Sequence, residues 1–226
     1  MSDPTGDLTA PTGAGRGGGR GGAGDREAPQ NTPQDVPGEA PQDVPRGSGI
    51  RGALVLIGPP GAGCRSVAAE LVAPGARCRD LEAVTAARLA VDPALAHVVV
   101  AEEVYRQAEA RAAVELLEGA RPGDALALGS GCLTSPAVLR ALDALRARGG
   151  TVVALTAQAR SLARRNGLDA PRSVALGPVH RTFVTLLRQR EALCRDLADA
   201  MVDTTGLSAS RTAQLVREKV VLRRQP

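Results

Sequence analysis

Aromatic side chains are almost missing from this chain: Tyr105 and Phe183 are the whole supply, and there is no tryptophan. Stacking of successive bases on aromatic platforms, the usual way to hold single-stranded nucleic acid, therefore has nothing to work with. A core must be assembled from Ala, Val and Leu, and at 43% hydrophobic residues there are enough of them. Lysine is as scarce. Lys219 is the only one, and every other basic residue is arginine. Cys64, Cys78, Cys132 and Cys194 are scattered with no C-x-x-C spacing, which speaks against a zinc site or a disulfide framework. No apolar run approaches the roughly 18 residues of a membrane span, and no apolar signal region opens the chain. The expectation is a cytoplasmic protein that does not engage a membrane.

The length of 226 residues suits one domain plus a tail. The formal charge of +4 is unevenly divided, because residues 1–50 hold seven acids and four arginines and the remainder carries about +7. A basic domain suits an anionic ligand such as a nucleotide or phosphate. No arginine cluster is long enough to make nucleic acid the partner. Residues 1–49 are rich in Gly, Pro, Asp and Gln, with the run "GAGRGGGRGGAG" and "PQDVP" at both 33–37 and 41–45. Such a composition cannot bury enough apolar surface to offset its ordering entropy. Residues 1–49 are read as a disordered, solvated tail and 50–226 as the folded domain.

From residue 52 the texture changes. "ALVLIG", "ARCRD", "DALALGSG", "TVVALTA" and "MVDTT" read as short strands. Helical patterns lie between them: "CRSVAAELVA", residues 82–119 with a break near Asp92-Pro93, "SPAVLRALDALRAR" with Ser135 as cap and Pro136 in the first turn, "SLARRNGL", and 208–224. Strands alternating with helices predict a three-layer α/β/α domain around a parallel sheet of about five strands. Ligands of such sheets bind at the carboxyl ends of the strands.

The first strand runs into "GPPGAGCRS" at 58–66. This has the outline of a phosphate-binding loop, G-x-x-x-x-G-K-[ST]. Glycines let backbone N–H groups converge on an anion, and the following helix adds the positive end of its dipole. Gly58, Gly61 and Gly63 are in place around Ala62. Cys64 stands at the lysine position, Arg65 at the Ser/Thr position, and Ser66 follows.

With the motifs that come after it, residues 52–220 resemble shikimate kinase, a P-loop enzyme related to the nucleoside-monophosphate kinases. The resemblance implies an ATP- and Mg2+-dependent transfer of phosphate to the 3-hydroxyl of shikimate in aromatic amino-acid biosynthesis, by a monomer. In "CRDLE" it implies that Asp80 lies near the magnesium and that Glu82 accepts a hydrogen bond from the shikimate hydroxyl. "AEEVYRQAE" is similar to the family's G-E-x-x-F-R-x-x-E, which gives Arg106 the shikimate carboxylate. "ALALGSGC" stands where the family has three glycines, so Gly129, Ser130 and Gly131 would border the substrate. "NGLDAPRS" matches the mobile lid, with Arg172 reaching the transferring phosphates and Arg164 and Arg165 near adenine. "RQREALCRDLA" resembles the helix carrying a second carboxylate arginine, here Arg190. Read without the resemblance, Glu82 is an acid in a helix's first turn and the arginines belong to solvated helix faces.

The losses fall on the nucleotide side. Cys64 cannot neutralise phosphates as lysine does, and Arg65 cannot ligate magnesium. Ser66 keeps a hydroxyl for the α-phosphate or the metal. Removing one positioned electrostatic donor costs roughly 10²–10³ in rate, and here a charge and a metal ligand go together. Three readings stay open: an impaired shikimate kinase that works slowly or through an Arg65 folded back to supply the charge, an inactive pseudokinase that binds shikimate or nucleotide as a regulator or partner, and another small-molecule phosphotransferase on the same fold, since fold does not fix function.

Overall fold

The five apolar segments become five short strands, and the central ones are buried on both faces. The computed structural model describes residues 52–168 and 177–222, with backbone only for 177–180; all of them lie in one compact unit. The strands are β1 (Leu54–Ile57), β2 (Cys78–Asp80), β3 (Ala125–Ala127), β4 (Thr151–Thr156) and β5 (Ala200–Asp203). They pair in the order β2-β3-β1-β4-β5, every pair parallel. Val55 stands between Leu126 and Val152, and Leu56 between Ala127 and Val153. An unbroken apolar run such as "LVLI" belongs in this central place, because helices cover both sides of a parallel sheet.

The helices are α1 (Cys64–Leu71), α2 (Leu81–Arg88), α3 (Ala96–Val99), α4 (Glu102–Glu118), α5 (Pro136–Ala147), α6 (Ala159–Arg165), α7 (Gly177–Leu197) and α8 (Ala209–Leu222), with a 3-10 turn at Cys132–Thr134. Successive strand side chains point to opposite faces, so the chain builds two cores. Val55, Ile57, Leu126 and Val152 meet Leu116 and Leu117 of α4 and Leu142 and Leu145 of α5. Leu54, Leu56, Val153 and Leu155 meet Val67 and Leu71 of α1 and Val216 and Val220 of α8. Each fully buried Leu or Val contributes roughly 1.5–3 kcal/mol. Tyr105, the one buried aromatic among the described residues, packs with Ala86 and Ala96.

Polar clasps fix the ends of the sheet. Asp124, at the entry to β3, accepts the backbone N–H of Arg77 and of Arg121 and the Arg77 guanidinium, at 2.8, 3.0 and 3.1 Å. Asp199, before β5, accepts Val152 N–H at 2.8 Å and pairs with Arg146 of α5 at 3.3 Å. The expected break after α2 falls where Ala90 takes a φ of 55° and Asp92 accepts the N–H of Ala94. Pro136 opens α5 as read from the sequence. Ser135 holds the cap position, but its side chain makes no capping bond, so the proline rather than the hydroxyl marks this start. No helix among the described residues is long and apolar enough to cross a membrane. The carboxyl ends of β1, β2 and β3 place the glycine loop, Asp80 and Gly129–Gly131 side by side.

Candidate active site

The loop between β1 and α1 is held from behind before any ligand arrives. Asn166 Nδ2 donates to Pro60 O at 3.1 Å, Arg165 Nη1 to Gly61 O at 3.0 Å, and Thr204 Oγ1 to Ala62 O at 3.3 Å. Three consecutive carbonyls are thus tied outward, to the end of α6 and to the turn after β5. Gly63 sits at φ 95°, in the left-handed region that favours glycine. It also leaves α1 without a side-chain cap, and no acid stands in the first turn. The first-turn N–H groups of α1 therefore face the loop with no internal acceptor, the arrangement that suits a phosphate.

The side chains at the head of α1 carry a different chemistry from the motif they replace. Cys64 is packed under the loop, its Sγ 3.3 Å from where a Cβ on Gly58 would lie. Burial first, and then the proximity of Cys194, push its thiol up to about 12. Cys64 is neutral at physiological pH and offers phosphates no charge. Arg65 does not fold back over the loop. Its Nε donates to Asp80 Oδ2 at 2.7 Å, across from α1 to the end of β2. Asp80 is free to accept because, although it occupies the cap position of α2, its carboxylate makes no capping bond.

Magnesium, implied by the resemblance, does not fit these residues. Mg2+ is held by one or two carboxylates, phosphates and several waters in a demanding octahedron. The carboxylate assigned to it, Asp80, is paired with a guanidinium that would oppose a dication. Ser66, the hydroxyl assigned beside Asp80, is exposed and lines a separate cavity of about 320 Å3 together with Gly61, Ala62, Gly63, Arg165, Thr204 and Thr212. The two presumed metal ligands are not brought together.

A larger cavity of about 580 Å3 opens on the other side of the loop, within the size range of small-molecule sites. Gly58, Gly61–Arg65, Asp80, Glu82, Arg106, Gly129–Gly131 and Arg190 all line it. Glu82 comes from the first turn of α2. Arg106, on α4, is braced on three sides. Its Nη1 donates to Glu109 Oε2 at 2.8 Å, its Nε lies 3.8 Å from Glu102 Oε1, and its guanidinium lies 5.7 Å from the Tyr105 ring centre, a cation–π distance. Arg190, reaching in from α7, donates through Nη1 to Ser130 O at 2.9 Å. Ser130 is buried.

Two glycines near β3 serve different ends. Gly129 takes φ 67° with open space around it, a conformational need. Gly131 is required by room: a Cβ there would lie 2.4 Å from Glu109 Oε1 and 2.6 Å from Arg106 Nη1. Gly131 also lines the larger cavity, so its backbone borders both that space and the Arg106–Glu109 pair.

Of the remaining expected residues, Arg165 lines the smaller cavity, but its guanidinium is committed to Gly61 O, Thr204 Oγ1 and Thr204 O at 3.0, 2.9 and 2.8 Å. It tethers the loop, a role the sequence did not reveal. Arg164 is exposed and lines neither cavity. Arg172 lies outside the described residues. Asn166, Thr204 and His97, whose ring is 4.2 Å from that of Tyr105, were not singled out, and Glu109 was read only as part of the helix that presents Arg106. Only Glu109 had a signal, its i,i+3 spacing from Arg106 on a helix.

The shikimate kinase family model matches residues 75–221, more than half of the chain, and begins after the altered loop. Among solved structures, a shikimate kinase from Acinetobacter baumannii in complex with shikimate is 22% identical at a TM-score of 0.64, covering 79% of this chain and 97% of its own. The shikimate kinase from Aquifex aeolicus is 16% identical at 0.59, covering 76% and 97%. That from Bacteroides thetaiotaomicron is 16% identical at 0.58, covering 75% and 98%. At these identities the structures speak to the fold. No curated protein matches the sequence.

Proposed function

The chain belongs to the shikimate kinase family, and on that premise we propose that it binds shikimate in the larger cavity and phosphorylates its 3-hydroxyl from ATP with strongly reduced efficiency. One observation carries the reading: Glu82, Arg106 and Arg190 line a single cavity with Gly129–Gly131, and that cavity opens onto the phosphate-type loop. A planar guanidinium offers a carboxylate two parallel bonds. Arg106 and Arg190 supply two such forks, each already held in place by a protein acceptor. Glu82 supplies the carboxylate that orients the nucleophilic hydroxyl, and phosphoryl transfer asks little more of the acceptor side. When bound, ATP supplies the transferable phosphoryl group; the chain's part is the backbone cradle at Gly61–Arg65, with Ser66 beyond it.

The donor side is the weak half. Neutral Cys64 gives no charge where phosphates need one, and a paired Arg65 gives less than a free lysine. This favours a second reading, in which the protein holds shikimate without turning it over and acts through a partner. Titration calorimetry and a coupled assay separate the two. Shikimate is expected to bind without nucleotide, and Arg106→Ala to abolish the heat. An absence of heat at millimolar shikimate would overturn the proposal in both forms. Turnover above the no-enzyme rate selects the kinase, and binding without turnover selects the second reading.

A further inference from the structure

The Arg65–Asp80 pair joins the two positions at which the resemblance puts a divalent cation, the residue after the lysine and the first carboxylate after β2. A guanidinium occupies the space between them. Among the described residues that line the larger cavity, it is the guanidinium that stands on the loop itself; Arg106, held by Glu109, and Arg190, held by Ser130 O, come from α4 and α7. The single lysine is spent elsewhere: Lys219 donates to Met201 O at 2.6 Å. Only Nε of Arg65 is used on Asp80; its Nη groups make no hydrogen bond with the described residues. Its side chain remains 61% exposed while it lines the same cavity as Gly58, Gly61 and Gly63.

We infer that Arg65, seated on Asp80, stands in for the divalent cation, so that the loop takes nucleotide phosphates in their metal-free form. The inference rests on the reading of the loop as the phosphate-donor side. Its logic is one of charge and geometry. A metal-free diphosphate keeps its full negative charge for the two free Nη donors, and a fork of parallel N–H groups matches paired phosphate oxygens. A magnesium–nucleotide complex brings a dication toward Asp80 and must first displace a guanidinium bonded at 2.7 Å. Metal is therefore expected to leave affinity unchanged or to weaken it, the opposite sign from a loop with lysine and a metal-binding hydroxyl.

The test is calorimetry of the full chain with ADP, in EDTA and in millimolar MgCl2, for the unmodified protein and for Arg65→Ser. The unmodified protein is expected to bind ADP in EDTA at least as tightly as with Mg2+. Arg65→Ser removes a charge-assisted contact and is expected to lose roughly 10- to 100-fold in EDTA. It also frees Asp80 and supplies a hydroxyl, so its ADP binding should become Mg2+-dependent. Electron paramagnetic resonance with Mn2+ and ADP gives a second readout: a protein-bound manganese signal in Arg65→Ser and none in the unmodified chain. Tightening of tenfold or more on adding Mg2+ to the unmodified protein overturns the inference, as does absence of ADP binding in EDTA or an Arg65→Ser variant that binds as before in EDTA. Shikimate heats from the same samples keep the two proposals apart. Lost shikimate binding with the predicted ADP pattern sinks only the acceptor-side reading, and the converse sinks only this one.

Discussion

At the scale of single residues, two substitutions set the chemistry of the loop, and the sequence displayed both without saying where they point. Cys64 was legible as a missing charge. That it is also an inert thiol depends on burial, which a residue name does not carry. Arg65 was legible as a cation in a metal ligand's place, but an arginine side chain has enough rotatable bonds to reach several acceptors. The choice of Asp80, 15 residues away, belongs to the fold. The thiols give a direct check. Cys64, Cys132 and Cys194 are each pushed up to about 12, burial being the first cause in every case; Cys132 and Cys194 are buried and Cys64 is half-buried, while Cys78, whose thiol is also raised, is exposed. Iodoacetamide at mild alkaline pH should modify Cys78 first, and equal labelling of Cys64 by mass spectrometry would contradict this packing. The same shifts set a pH dependence. An unfolded thiol ionises near 9.0, so between about pH 9 and 12 the unfolded chain releases protons that the folded chain retains. Stability from these groups is complete below pH 9 and is lost as pH rises through that window. Urea midpoints should fall on going from pH 8 to above pH 10.

At the scale of elements, the strands and most helices were readable because apolar runs, Pro136 and the glycine turns are local signals. The sheet order was not, since it rests on pairings such as β1 with β4, nearly a hundred residues apart. The tethers of the loop were hidden for the same reason. Thr204 reaches Ala62 across 142 residues and Arg165 reaches Gly61 across 104, and an arginine just before a lid-like stretch gives no hint that it ties back to the loop. Helix α7 runs from Gly177, well before the stretch that resembles the family's carboxylate-binding helix; Pro178 in its first turn is a local start signal that the sequence reading did not use. The N-terminal segment yields a prediction from composition alone. Residues 1–48 lack the apolar content to add a core, and β1 begins only at Leu54. Deleting them should leave the melting temperature nearly unchanged; a fall of many degrees would show that they pack on the domain and would move the boundary from residue 49.

At the scale of the whole molecule, the account is of a shikimate kinase fold whose two halves have diverged in chemistry. The acceptor side lines its cavity with Glu82, Arg106 and Arg190. On the proposed reading, the donor side is the loop tied through Pro60, Gly61 and Ala62, where a neutral thiol and an ion pair stand at the positions of the motif's lysine and hydroxyl. If this is the limiting difference, it can be reversed without touching the cradle. The double variant Cys64→Lys with Arg65→Ser places a cation over the phosphates and a hydroxyl beside a released Asp80. The two changes act on the same phosphates, so the pair should exceed the sum of the single effects. The deciding measurement is the turnover of shikimate with ATP and Mg2+ in a coupled assay, for the unmodified chain and the double variant side by side. The account predicts a gain of roughly 10²–10⁴ for the double variant, the scale of recovering such electrostatic contacts. An unmodified protein that already works at about 1–100 per second, as ordinary kinases do, would contradict it.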